Sequence, residues 1–416
     1  MKKRIAMILC VTMVASLFVG CGKETGTSNG GEKKQEDTAK INEISIWHDG
    51  DEAVMDVIEE QVNKELDTDN LAVKFEKKSG LTDQIKLYGN DGESGPDMYL
   101  YAHDSLGTFV EMGVLSPITD VIEEDVYKDM LPMTLKAGEY EGNQYLLPLY
   151  FETLLFMYNK DLWTEEIPST TEELYTYMQE HTDTAAGTYA LVNQHSTAYN
   201  VSPVINGFGG CVIDENAKPG LTKEKTKEAI EYNKKFAALE ADGDYNTVTT
   251  LFNEGKAEAI IGGPWLVPGI KEDGINLGIK SLSDFTLPNG NSLAPYSGIQ
   301  GVGVLKHAAE NKKDAIQKVL TVLSKPEIGI ALAEKASCAP ANQKAYDNEN
   351  VANNEMISAM KRTAETAKPM PNIPEMSVMW GPTEALLAAV NKSEEDLEPA
   401  AEKYQKEAET AIADMQ

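Results

Sequence analysis

A strand, an amphipathic helix and a second strand follow one another within about 35 residues at the start of the folded body, the length of a βαβ unit. This alternation limits the chain to one structural class. In Glu43-Ile44-Ser45-Ile46-Trp47, Ile44 and Ile46 alternate with polar neighbours, the two-residue period of a strand. Asp49-Gly50-Asp51 then supplies turn chemistry. From Ala53 to Leu66, the residues Val54, Val57, Ile58, Val62 and Leu66 recur at helical spacing, with acids early in the helix where its dipole is positive. Leu71-Ala72-Val73-Lys74-Phe75 reads as the next strand. Strands joined by a crossover helix lie parallel, so the unit predicts a parallel sheet with helices on its faces.

The pattern continues. The spacing predicts a helix at Thr82–Tyr88, a strand leading from Gly95-Pro96-Asp97 through Tyr101, and an aromatic-rich strand at Thr153–Tyr158. Helices are expected near Thr171–Glu180 and Lys223–Leu239, a strand at Ala257–Gly262, and further helices at Lys312–Leu323, Thr383–Val390 and Glu395–Ala413. No repeat of 20–50 residues is present, which argues against a solenoid or a propeller. The 416 residues allow two or three domains. The fold class expected is α/β in two lobes, each a mainly parallel sheet flanked by helices.

Residues ahead of this body read as an address. Lys2, Lys3 and Arg4 precede an uncharged, mostly apolar run from Ile5 to Val19. That run is shorter than the roughly 20 residues a bilayer-spanning helix needs, and it fits a secretory signal peptide over residues 1–20. Phe18-Val19-Gly20-Cys21 resembles the bacterial lipoprotein signal, in which the cysteine is acylated, although Phe18 stands where leucine is usual. Cys21 is therefore the expected lipidation site. Residues 21–40 lack aromatic and β-branched aliphatic side chains and read as a flexible tether. The expected location is the outer face of the cell membrane, held by lipid. Of the remaining cysteines, Cys211 and Cys338 read as buried small apolar residues.

Several chemistries lack their residues. A formal charge of −30 with only short lysine runs repels nucleic acid. His48, His103, His181, His195 and His307 form no H-E-x-x-H, and neither Cys211 nor Cys338 belongs to a C-x-x-C pair, so no metal site and no cofactor is expected. There is no G-x-S-x-G elbow and no phosphate-binding G-x-x-x-x-G-K-[ST]. Gly298, Gly301 and Gly303 read as backbone geometry, and Asp242-Gly243-Asp244 as a solvated turn. No catalytic pair of carboxylates stands out, so no catalytic residue is named.

What recurs is an aromatic beside a carboxylate. Trp47 precedes Asp49 and Asp51, Tyr101 precedes Asp104, and Phe151 precedes Glu152, at strand ends or in the loops that follow. Trp265 and Trp380 lie in Gly263-Pro264-Trp265 and Trp380-Gly381-Pro382. A sugar ring offers an apolar C–H face to such rings, and its hydroxyls donate to ionised carboxylates.

These blocks resemble the extracellular solute-binding proteins of ABC importers, specifically those similar to maltose-binding protein. The resemblance rests on Ile46-Trp47 with Asp51, Gly95-Pro96-Asp97 with Ala102-His103-Asp104, Tyr158-Asn159-Lys160-Asp161-Leu162, Phe252-Asn253 through Gly263-Pro264-Trp265, and Met370-Pro371-Asn372-Ile373-Pro374 with Met376-Ser377 and Trp380. It implies two lobes closing by a hinge over a sugar. The lobes implied are 41–150 plus about 300–350, and 151–299 plus about 351–416, with crossings near Tyr150, Ser297–Gly301 and Asn350. That layout puts Cys211 and Cys338 in different lobes, as free thiols.

The resemblance implies hydroxyl acceptors at Asp51, Asp104 and Glu152, with Asp49 where the family has an amide, and stacking rings at Tyr101, Tyr199, Trp265 and Trp380. Trp47 is expected to pack beneath the site. Glu52, Ser105, Gly381 and Glu384 depart from the family's basic and aromatic residues. The cargo implied is an α-1,4-linked glucooligosaccharide, and the partners are ABC permease subunits for a protein that is itself a monomer. Two alternatives remain at this level: the same fold carrying a polyamine, peptide or metal chelate, and a surface-anchored glycosidase.

Overall fold

The computed structural model describes residues 42–66 and 70–415. The signal peptide, Cys21 and the tether expected over residues 1–40 lie outside the described residues.

The expected opening unit is present. Strand β1 (Asn42–His48) leads into helix α1 (Glu52–Leu66), strand β2 (Leu71–Lys77), helix α2 (Leu81–Tyr88) and strand β3 (Met98–Ala102). Both β2 and β3 pair with β1 in parallel. The helical spacing of α1 buries Met55, Ile58, Val62 and Leu66. These pack in one cluster with Ile44, Ile46 and Val73 of the sheet and with Ile316, Val319 and Leu320 of a later helix. Asp97, from the Gly95-Pro96-Asp97 block, has a structural role: its buried carboxylate accepts from the Ser45 N–H at 3.0 Å and from Lys312 Nζ at 2.8 Å.

The sheet is completed by strands from elsewhere in the chain. Strand β4 (Leu146–Thr153) is followed after the single residue Leu154, fully buried, by β5 (Leu155–Asn159), which belongs to a different sheet. The aromatic-rich strand expected at Thr153–Tyr158 is thus two strands meeting at Leu154. Strands β6 (Tyr189–Val192), β7 (Ala257–Gly262) and β8 (Leu277–Lys280) complete the second sheet in the order β8-β5-β7-β6. Strand β9 (Tyr296–Leu305) and the short β10 (Ala339–Pro340) return to the first, whose order is β10-β4-β9-β3-β1-β2.

The α/β class and the two lobes hold, but the sheets are mixed rather than mainly parallel. Strand β9 runs antiparallel to both β3 and β4, and β7 and β8 run antiparallel to β5. For the first sheet the reason is connectivity: β4 leaves it directly for the other lobe and β9 returns directly from there, neither through the crossover helix that enforces parallel pairing.

Glycine at position 303 follows from packing. A Cβ there would lie 2.3 Å from the Tyr99 ring, which lies against β9. The helix expected to Leu239 is α-helical over Glu224–Phe236 and ends in a wider turn with Glu240 at φ 58°. Cys211 and Cys338 are free, as expected, but both are half-buried rather than buried.

Candidate functional site

Three carboxylates sit where strand ends meet helix starts. Past β1, Asp51 Oδ1 accepts from the Ala53 N–H at 2.8 Å and caps α1. Asp49 Oδ2 accepts from Gly80 N–H at 3.2 Å, at the start of α2. Past β3, Asp104 is exposed in a 3-10 turn. Tyr101, the ring before it, is half-buried and hydrogen-bonded to the Thr82 side chain. Burial raises its phenol pKa, and the charges of Asp104 and Asp49 add to the shift. Asp49, Tyr101 and Asp104 therefore form one group.

His103 fastens that group to the middle of the molecule. It is fully buried; its Nδ1 accepts from the Ile299 N–H of β9 at 3.2 Å, and its Nε2 lies 2.9 Å from the Met370 carbonyl. An amide N–H only donates, so Nδ1 is bare and the proton sits on Nε2, donating to Met370. Burial holds the imidazole pKa below its ordinary value, opposed by Asp104 and the two backbone partners.

The second group gathers around Glu152, near the end of β4, where it pairs with Gly298 of β9. Burial raises the Glu152 carboxyl pKa. Cys338, in the turn after the helix Pro326–Ala336, is pushed up to about 12 by burial, with Glu152 and Asp51 adding to it. Glu152 also raises the phenol of Tyr199, after burial. Asp51, Glu152 and Trp265 line one cleft of about 390 Å³, together with Cys338 and with Met356 and Met360 of the helix Glu355–Thr363.

Rings extend from this cleft. Trp265 is 43% exposed, and a Cβ on Gly263 would fall 2.1 Å from its ring, so glycine is what lets the indole fold back over the backbone there. Helix α3 (Thr171–His181) is followed by α4 (Ala198–Phe208), whose Tyr199 has its ring 6.4 Å from that of Trp265. Its hydroxyl donates to the Tyr296 carbonyl at 3.4 Å. Tyr296 in turn meets Trp380 edge-on, with ring centroids 6.4 Å apart and planes at 88°.

The structure thus joins Asp51, Glu152, Tyr199 and Trp265 directly, and brings in Trp380 through Tyr296. Asp49, Tyr101 and Asp104 stand as a neighbouring group across β9. Gly301 of β9 pairs with Tyr101 and Gly298 with Glu152, an offset of about 10 Å along the strand at 3.4 Å per residue. Trp47 is buried, edge-on to Tyr88 at 6.0 Å, in a cluster that includes Tyr101.

Thr82, His103, Cys338, Met356 and Met360 are not among the site residues expected from the sequence. A methionine pair four residues apart reads as ordinary helix core, and what a histidine bonds to across 196 residues leaves no local trace. Asp244 accepts from the Thr247 N–H, as a turn residue does, but Asp242, expected in a solvated turn, is largely enclosed, accepting from Ser196 and pairing with Lys392 at 3.3 Å. Among the described residues no cluster of His, Cys, Asp and Glu could hold a metal ion. A larger hollow of about 950 Å³, near Tyr140, Glu215 and Met370, holds none of the expected site residues.

The chain is 30% identical to the maltotriose-binding protein of Pyrococcus abyssi over 387 residues, 90% of this chain and 83% of the relative. It is 28% identical over 413 residues to the galactooligosaccharide-binding protein of Bacillus subtilis, covering 95% and 94%. A maltooligosaccharide ABC transporter solute-binding lipoprotein of Streptococcus pneumoniae is 26% identical over 416 residues, covering 96% and 95%. A cyclo/maltodextrin-binding protein solved with maltotetraose superposes with a TM-score of 0.81 at 23% identity, over 89% of this chain and 98% of that one, a likeness of fold. These are binding proteins, not enzymes. The family model described as bacterial extracellular solute-binding protein matches residues 60–359, and the chain belongs to that family.

Proposed function

We propose that this protein captures maltooligosaccharides, α-1,4-linked glucans, in the cleft between its lobes and delivers them to the permease of an ABC importer. The observation that carries this reading is the run of rings Trp265, Tyr199 and Trp380 beside the carboxylates of Asp51 and Glu152. The rings cover C–H faces and the ionised oxygens accept from hydroxyls. Tyr101, Asp104 and Asp49 extend the binding surface across β9. Two relatives named for maltotriose and maltooligosaccharides support the choice of glucan.

No bond is broken in this function. Ligand biases a closure equilibrium by contacting the closed form better than the open one. The lobes proposed are 41–150 with about 300–350, and 151–299 with about 351–416. Acylation of Cys21 holds the monomer at the outer face of the membrane, a reading in line with the streptococcal lipoprotein.

Calorimetry with maltose through maltoheptaose tests the cargo. Heat saturating at one site per chain is expected. Silence with all of these, and a clear isotherm with a galactooligosaccharide, would overturn the glucan in favour of the cargo named for the Bacillus relative. Salt separates the polyamine alternative, since cation binding weakens as ionic strength rises and neutral sugar binding does not.

A further inference from the structure

The cleft that holds Asp51, Glu152 and Trp265 has walls poorly matched to a sugar alone. Apart from those two acids, only Ser337 and Lys271 bring polar side chains to it; hydrocarbon, indole, thioether and thiol groups make up the rest. Met356 and Met360 lie four residues apart on one face of the helix Glu355–Thr363, both buried, and share the cleft with Val54, Pro268 and Cys338. The Cys338 thiol is protonated at neutral pH, so it adds no charge.

A pyranose ring carries a hydroxyl on most of its carbons, and a buried hydroxyl without a partner is costly. Methionine and proline surfaces cannot supply partners. They do suit an apolar group, and thioethers make favourable contacts with the edges of aromatic rings. The space, about 390 Å³, lies in the range of small-molecule pockets and adjoins the carboxylates proposed to fix a sugar.

We propose that this cleft seats an apolar aglycone, an aryl or alkyl group joined glycosidically to the end of the oligosaccharide, against Met356 and Met360. The proposal rests on the sugar-binding reading above. It widens the cargo from free glucans to glycosides with one greasy end.

The test compares two ligands by calorimetry: maltotriose and 4-nitrophenyl maltotrioside. The readout is the ratio of their dissociation constants. The aryl compound is expected to bind at least tenfold tighter to the unaltered protein. In Met356→Gln and in Met360→Gln the ratio is expected to fall toward one, with melting curves identifying any variant that fails to fold. Met356 is the less enclosed of the two, so its variant keeps the test open should Met360→Gln unfold. A ratio near one in the unaltered protein, or a tenfold ratio that persists in a folded variant, overturns the aglycone seat and leaves glucan binding standing. Failure of maltotriose itself to bind overturns the sugar reading, and the aglycone seat with it.

Discussion

The rings of Tyr199 and Trp265 stand 6.4 Å apart with their planes tilted by 47°, although the residues come from a helix and from the loop after β7. The two rings form an open angle rather than a closed stack. Tyr199 is anchored by its hydroxyl on Tyr296, whereas Trp265 is held mainly by folding over Gly263 and remains 43% exposed.

Trp265→Ala is therefore expected to cost binding far more than stability. Loss of one stacking ring should weaken maltooligosaccharide binding by roughly 1–3 kcal/mol, by analogy with ring–base stacking, while the melting temperature stays nearly unchanged. Trp380→Ala should lower both, because Trp380 also packs against a buried cluster with Met376, Met379 and Leu386. Calorimetry and thermal melts on the two variants check the contrast. Unchanged dissociation constants in both would remove these rings from the site.

Glu152→Gln should stabilise the empty protein at pH 7. Burial raises the carboxyl pKa, so the folded state favours the neutral acid. The stability this group contributes is present below its unfolded value near 4.5 and is lost as pH rises through the raised folded value. The gain from glutamine should thus appear at pH 7 and shrink toward pH 4.5. Sugar affinity should fall in the same variant, since an amide oxygen is the weaker acceptor. A variant no more stable than its parent at pH 7 would contradict the assignment.

His103 gives the opposite sign. Its folded pKa lies below the ordinary 6.5, so its stabilisation is present above that value and is lost as pH falls through the depressed folded value. In His103→Asn the side-chain oxygen can still accept from Ile299 but does not titrate. Its melting temperature should depend less on pH on the acid side of 6.5 than that of the parent. Parallel curves would separate His103 from acid sensitivity. His195, also buried with a lowered pKa, retains a share of the slope in both proteins.

Cys338 should resist alkylation in the folded protein. With the thiol pushed up to about 12, about one molecule in ten thousand carries the reactive thiolate at pH 8. In a chain starting at Gly22, which lacks Cys10 and Cys21, a Cys211→Ala variant isolates this thiol. Iodoacetamide at pH 8 should leave it unmodified for far longer than after unfolding in guanidinium, as mass spectrometry would record.

Local pattern was enough for the opening elements of the fold. The helical spacing from Val54 to Leu66 locates α1, which buries one face, and the alternation of Ile44 and Ile46 with polar neighbours locates the start of β1. The same reasoning could not find the break at Leu154. Apolar residues flank it on both sides, as both strands are buried, and periodicity carries no mark of a change of sheet. Antiparallel entry of β9 and the bonds of His103 depend on contacts far along the chain. Asp49 shows a subtler gap: turn chemistry was legible, but not that its carboxylate meets the start of α2.

Leu154 also limits what the cleft can do. One residue separates Thr153 in the first sheet from Leu155 in the second, so the Cα atoms of those two can never be more than about 7 Å apart, two steps of 3.8 Å. On that side the lobes are tied by a leash with no slack. An opening of the cleft is therefore expected to be a rotation that keeps these two strand ends together, rather than a parting of the sheets along this edge.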